Sequence, residues 1–230
     1  FYSIPAPDQS EKQRRRKHRY AEGEIVESEC RSSFFIFDQV GNTNPPSFIT
    51  ETLEGSLAMQ TSATTLCVCE ADIPAETTQW VSFYFKFVTA PTSNTAILSM
   101  YGNSAANKIL DVQAVAGGTT IRVRSVSTTR WTSAALGTGV WHRIAVRVDV
   151  DTDLEVDIYS GANLHTTTAS QSSGSQSNTN TTATNVDNVR FGMHTDDTAL
   201  SMRYDRIRGD DAVEPDPHSA GTDGSVTAVT

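Results

Sequence analysis

The chain has 230 residues, 37% of them hydrophobic and 20% charged, with a formal net charge of −9. That length buries one sizeable core and leaves room for two domains at most. No apolar run approaches the ~18–20 residues that a helix needs to cross a bilayer, so no membrane partner is expected. The acidic balance gives no long-range attraction for nucleic acid, which is not an expected partner either.

The charge is unevenly spread. Residues 1–29 read as an extended basic arm rather than a domain. IPAP (4–7) favours extended backbone, because proline fixes its own φ and restricts its predecessor. KQRRRKHRY (12–20) concentrates Arg14, Arg15, Arg16, Lys17 and Arg19 in a block that would repel itself in a packed helix. The rest of the chain is acidic, so the arm is expected to dock on neighbouring subunits as an assembly element.

From Cys30 to Asp211 the pattern is β. FFIFDQV (34–40), SLAMQT (56–61) and LCVCEA (66–71) are short, apolar or alternating, and separated by Gly, Pro, Asn and Thr. WVSFYFKFV (80–88) sets Val81, Phe83, Phe85 and Phe87 on one face and Trp80, Ser82, Tyr84 and Lys86 on the other. AILSMYG (96–102), ILDVQAV (109–115) and TIRVRSV (120–126) follow, with Gly117-Gly118 as a hairpin turn. WHRIAVRVDV (141–150) turns Ile144, Val146, Val148 and Val150 inward, with Arg143, Arg147 and Asp149 outward. LEVDIYS (154–160) repeats the alternation after a DTD turn, which makes the two a hairpin.

TTTASQSSGSQSNTNTTAT (166–184) has no charge and no large apolar side chain, and reads as a long, mobile polar loop. The final strand, around SMRYDRIRGDD (201–211), sets Leu200, Met202 and Tyr204 against Ser201, Arg203 and Asp205, one buried face and one wet face. The RGD triplet at 208–210 is too short to carry weight as a recognition signal. Residues 212–230 read as an extended C-terminal tail. With no window of helical periodicity, the expected class is all-β, a two-sheet antiparallel sandwich over 30–211.

These strands in this order resemble the concanavalin A-like lectin/glucanase jelly roll, in particular its laminin G-like branch. The likeness is carried by WVSFYFKF (80–87), AILSMYG (96–102), ILDVQAVAGGTTIRVRS (109–125), WHRIAVRVDV (141–150), LEVDIY (154–159), NVRFGM (188–193) and ALSMRYDRIRGDD (199–211). It spans about residues 50–211 and rests on strand order rather than on one signature. The fold hosts lectins, hydrolases and structural modules alike, so function must be argued from the site.

The resemblance supplies three candidates. One glycosidase family of this fold carries E-x-D-x-E on a strand, and here Glu155 and Asp157 match, but Tyr159 stands at the third position. Without the second carboxyl there is no acid/base partner, so no catalytic residue is assigned and no enzyme is expected. Laminin G-like domains often hold a calcium ion at the rim. No cofactor is required here, and calcium, if bound, would fall to Asp196 and Asp197. A lectin needs an aromatic platform beside polar groups, and Trp131 in TTRWTSAAL is the candidate for carbohydrate contact.

His142, His165 and His194 lack metal-ligand spacing to the cysteines. Cys67 and Cys69 lie two apart on one strand, and with Cys30 they make an odd count that argues for reduced, buried thiols.

A jelly roll with a basic arm, a polar low-complexity loop and a Pro/Asp-rich tail is similar in architecture to modules on tailed-bacteriophage virions. The expected function is therefore a non-enzymatic virion surface module, a minor tail or capsid decoration protein, with contact to host glycans. The alternative is an independent carbohydrate-binding lectin-like domain, with a glycoside hydrolase behind it. The expected partners are other virion proteins, met through arm and tail, in a homo-oligomer. The expected location is the virion surface, after assembly in the host cytoplasm. Limited trypsin treatment should cut at 14–19 before it cuts the body, and early cleavage inside 80–160 would show that these boundaries are misplaced.

Overall fold

A computed structural model of the chain describes residues 38–39, 47–49, 53, 58–61, 67–103, 106–178, 182–194, 200–215 and 217. The basic arm and the last thirteen residues lie outside them, as do Asp196 and Asp197. Among the described residues there is no α-helix, only one 3-10 turn at Gly161–Asn163.

The strands are β1 (Asp38–Gln39), β2 (Ser47–Ile49), β3 (Ala58–Thr61), β4 (Cys67–Glu76), β5 (Thr78–Thr89), β6 (Thr95–Gly102), β7 (Asn107–Ala114) and β8 (Ile121–Ser125). They continue with β9 (Thr128–Thr132), β10 (Trp141–Asp149), β11 (Asp153–Ser160), β12 (Gln171–Ser172), β13 (Gln176–Ser177), β14 (Val186–Met193) and β15 (Ser201–Asp210). One antiparallel sheet of seven strands runs β1-β4-β14-β6-β7-β8-β9; the other, of eight, runs β12-β11-β10-β5-β15-β3-β2, with β13 also paired to β11. The all-β sandwich expected from alternation is what forms. Both expected hairpins form as well: β7 with β8, turning at Gly117 in the left-handed region, and β10 with β11 across the DTD turn.

The core lies between the sheets. Val81, Phe83, Phe85 and Phe87 are all fully buried, as are Ile144, Val146 and Val148 from β10 and Leu154, Val156 and Ile158 from β11. Phe83 packs edge-on against Phe191 of the other sheet, with ring centroids 5.4 Å apart and planes at 87°. Cys69 is buried, with its sulfur 3.6 Å from the Met59 sulfur.

Three expectations are corrected. The polar run at 166–184 is not a free loop over its described part, because β12 and β13 pair with β11 along the sheet edge. With nothing large to bury, the segment is held by polar side chains bonded to backbone and to each other. Ser173 Oγ accepts the Val156 N–H at 2.8 Å, and Gln171 Oε1 accepts the Ala134 N–H at 2.7 Å. Asn178 donates to the carbonyls of Asp149 and Val150 while its own oxygen accepts from Ser125, so it ties the two sheets together.

The second correction concerns β15. Its apolar face is buried as expected, but Asp205 on the supposedly wet face is only 8% exposed and accepts the Leu53 N–H at 3.0 Å. Arg206 adopts φ 52° at a bulge, which restores the pairing so that Arg208, Gly209 and Asp210 oppose Ser82, Val81 and Trp80. The RGD triplet is therefore part of a paired strand. Third, the tail starts on its own sandwich: Glu214 and Pro215 sit on the eight-stranded sheet rather than extending away from it.

Gly102 ends β6 where the chain passes close to β14. A Cβ there would lie 1.9 Å from the backbone oxygen of Asn185, and backbone cannot give way as a flexible side chain would. Gly102→Ala should destabilise the sandwich by about 1–3 kcal/mol, the usual range for forced overpacking, read as a lower urea midpoint at unchanged slope.

Candidate site on the outer face of the eight-stranded sheet

Strand register places the non-core side chains of β5, β10, β11, β15 and β3 in cross-strand rows. Trp141, Lys86, Arg203 and Gln60 form the first row, and Tyr159, Arg143, Tyr84 and Asp205 the second. Asp157, Ala145, Ser82 and Arg208 form the third, and Glu155, Arg147, Trp80 and Asp210 the fourth.

An outward face of a sandwich is ordinarily wet. This one is covered at its centre: Arg143 and Tyr159 are 1% exposed, and Tyr84, Ser82, Ala145 and Lys86 are buried. Two described segments do part of the covering. After the 3-10 turn, His165 lies over Tyr84, with ring centroids 5.5 Å apart and Tyr84 OH 3.2 Å from His165 Nδ1. Beyond β15, Glu214 and Pro215 come back over Arg143.

The centre of the face is the group Arg143, Tyr159 and Glu214. The Arg143 guanidinium stacks on the Tyr159 ring at 3.7 Å. Its Nη2 donates to the Thr166 carbonyl at 2.8 Å and lies 3.3 Å from Glu214 Oε1, the same oxygen that accepts the Tyr159 O–H at 2.7 Å. Burial pushes the Glu214 carboxyl above the ordinary glutamate value, and the Tyr159 bond and the Arg143 charge only partly offset it. Burial first, and then the bond to Glu214, also raises the Tyr159 phenol, so it remains protonated through the physiological range.

Toward the edges the face is half-buried and aromatic. Lys86 Nζ stands 5.2 Å from the centroid of Trp141, and Arg147 lies 6.0 Å from Trp80. Arg147 Nη2 donates to both Asp153 oxygens, at 2.8 and 2.7 Å, and its Nε lies 3.8 Å from Glu155. Burial works against the charged form of Asp153, but hydrogen bonds from Ser175 and the Arg147 charge outweigh it and hold the carboxyl below its ordinary value.

The sequence candidates distribute as follows. Glu155 and Asp157 do lie on this face, and Tyr159 at the third position is bonded to Glu214 instead of serving as a second acid. Trp131 is elsewhere: it sits on β9, the edge of the seven-stranded sheet, opposite Val123, half-buried and packed against the core. The calcium positions Asp196 and Asp197 and the assembly-arm residues Arg14, Arg15, Arg16, Lys17 and Arg19 lie outside the described residues. No group of three or more His, Cys, Asp or Glu that could hold a metal ion occurs among the described residues. The Arg143 group went unnoticed in the sequence because its acid comes from beyond the last strand. One signal was present, namely that Trp80, Tyr84, Trp141 and Tyr159 are large aromatics at positions that strand alternation turns away from the core.

A second polar cluster lies on the outer face of the seven-stranded sheet. Ser99 donates to Asp111 Oδ1 and lies 3.1 Å from His194 Nδ1, while Lys108 stands 3.2 Å from Asp111. The hydroxyl here separates carboxylate from imidazole, whereas a nucleophilic triad needs the imidazole in the middle.

Comparison with known proteins bears on the fold. No protein-family model matches the sequence, and no curated protein sequence matches it. Among solved structures the chain is similar to the cellulose induced protein Cip1, with TM-score 0.58 and 13% identity over 82% of this chain and 95% of that one. It is also similar to the botulinum neurotoxin serotype G binding domain, with TM-score 0.50 and 9% identity over 80% of this chain and 44% of that one. The chain thus spans less than half of the toxin domain. Both are β-sandwich jelly rolls consistent with the concanavalin A-like architecture, and at these identities the likeness concerns the fold alone.

Two histidines make stability depend on pH. Burial pushes His194 down to about 3, with the charges of Lys108 and Arg190 adding to the effect, and burial likewise lowers His142. Both have an Nε2 that is enclosed and lacks a partner among the described residues. Their folded-state values lie below the unfolded value of about 6.5, so the stability they contribute is complete above that pH and is lost as pH falls. Stability against denaturant should be lower at pH 5 than at pH 7 by about 2 kcal/mol on account of His194. His194→Asn should remove most of that difference, and an unchanged difference in this variant would remove His194 as the cause.

Proposed function

We propose that the protein is a non-enzymatic surface module of a virion, a minor tail or capsid decoration protein, whose sandwich contacts host-surface glycans. The observation that carries the glycan reading is the composition of the outer face of the eight-stranded sheet. Half-buried Trp141 and Trp80 are each paired with a cation, and the face between them is lined by Arg, Tyr, Asp and Ser. Flat aromatic surface beside convergent polar groups is what sugar recognition requires.

The carboxylates support a non-enzymatic role. Glu155 lies against Arg147, Glu214 is held by Arg143 and Tyr159, and the glycosidase pattern lacks its third acid. The virion assignment rests on the segregated basic arm and the acidic body. In this reading residues 1–29 bind neighbouring copies and other virion proteins, residues beyond 217 contribute further contacts, and the protein works as a homo-oligomer on the extracellular particle. It needs no cofactor. Calcium, where bound, would fall to Asp196 and Asp197 and would not be required.

The alternative, an independent lectin-like domain, uses the same face. It draws support from the names of the similar folds, a binding domain and a cellulose-induced protein.

Mass spectrometry of purified particles should find the chain in multiple copies. A glycan array should give specific hits that Trp80→Ala or Trp141→Ala weakens by about tenfold, equivalent to about 1.4 kcal/mol. Glycan binding by a chain absent from every particle would leave only the lectin reading. Glycan hydrolysis abolished by Glu155→Gln would overturn the non-enzymatic assignment.

A further inference from the structure

Arg143 is 1% exposed on a sheet face, and a guanidinium in that position is costly unless its charge is matched and its donors are satisfied. The match it has is incomplete. Nη2 lies 3.3 Å from Glu214 Oε1, Nη1 is 3.5 Å from the Pro215 carbonyl, and the buried Nε has no partner among the described residues. Tyr159 donates to that same Oε1, so the ion pair uses one oxygen where a guanidinium fork can take two. The carboxyl, moreover, sits above its ordinary value although an arginine is beside it, because burial outweighs the attraction.

The acid is carried by a thin strap. Asp210 Oδ1 accepts the Ala212 and Val213 N–H groups, which turns the chain back over the sheet immediately after β15. Val213 is 62% exposed, and among residues 211–215 only Pro215 is buried. A largely exposed segment held over the sheet by the Glu214 carboxylate, the long contact to the Pro215 carbonyl and one buried proline opens at lower cost than the paired strands beneath it.

The fixed half of the site stays with the sheet. Arg143 and Tyr159 are on adjacent strands in register, stacked on each other, and Tyr84 lies opposite Arg143 on the other side. In the next row lie the small side chains of Ala145 and Ser82, both buried. A guanidinium and a phenol held side by side between two flanking tryptophan rows suit a sugar that bears a carboxylate.

We propose that Arg143 and Tyr159 form a binding site for the carboxylate of an acidic sugar, closed in this structure by Glu214 of the strap after β15, which the incoming carboxylate displaces. The proposal rests on the glycan-contacting reading of this face and assigns the chemical class of its ligand. No covalent step is involved, since one carboxylate replaces another on the same donors.

Titration calorimetry of the full chain decides it, with oligogalacturonate and sialyllactose as the two acidic probes and a cello-oligosaccharide as the neutral one. Glu214→Ala should bind at least one acidic probe about tenfold or more tighter than the unmodified chain, and which probe gains identifies the source of the carboxylate. Glu214→Gln should gain less. The neutral probe should not change. Arg143→Lys keeps the charge but loses the fork, and in the Glu214→Ala background it should lose most of the gain. In the unmodified chain, a saturating acidic probe should speed amide exchange at 211–214.

No gain in either Glu214 variant, an equal gain for the neutral sugar, or a gain that survives Arg143→Lys would each overturn the site. Neutral sugar bound with no acidic gain would overturn this proposal and leave the glycan reading standing. No sugar bound by any variant would remove both.

Discussion

Everything in this sandwich depends on β5 being buried on both of its faces. One row of its side chains, Val81, Phe83, Phe85 and Phe87, fills the space between the sheets. The other row, Ser82, Tyr84 and Lys86, is covered by segments that cross the back of the sheet. A central strand with β10 on one side and β15 on the other transmits its register to both. Because side chains alternate with period two, a slip of one residue would move four aromatic and aliphatic side chains out of the core and Ser82, Tyr84 and Lys86 in. The Phe83 and Phe191 contact across the sheets makes that register costly to change.

The same constraint creates the site. Once register is set, Arg143 must face away from the core and lie beside Tyr84 and Tyr159, whether or not water reaches it. It is covered, and a covered guanidinium needs a counter-charge and an aromatic surface. It finds both, in Glu214 and Tyr159. Lys86 with Trp141 and Arg147 with Trp80 repeat the device in the flanking rows, at longer distances and on half-buried rings. The face therefore grades from a dry centre to half-buried aromatic ends.

The edge of the sandwich is closed by a different kind of chemistry. A run dominated by Ser, Thr, Asn and Gln has no large apolar side chain with which to pack, yet β12 and β13 hold their places beside β11. Short polar side chains bond to nearby backbone groups, and a sheet edge is a row of unpaired backbone groups. Asn178, bonded to Ser125 on one sheet and to the Asp149 and Val150 carbonyls on the other, shows how such a segment joins layers without entering the core.

The sequence by itself determined the all-β class, the two hairpins, and the identity of nearly every inward residue from Val81 to Tyr204. Alternation of apolar and polar side chains is a local property, and burial between two sheets is what it encodes. It misread the opposite faces. Alternation says which side of a strand avoids the core, not whether that side is wet, so Arg143, Tyr159 and Asp205 looked like solvent-facing residues. Low complexity likewise signals the absence of a core contribution, not the absence of backbone pairing, and so 166–178 looked free. Only the tertiary structure brought Glu214 onto Arg143, because that contact joins residues 71 apart through the path of a strap. Its path depends on the turn at Asp210 and on which strands lie side by side, and no periodicity in the chain records either.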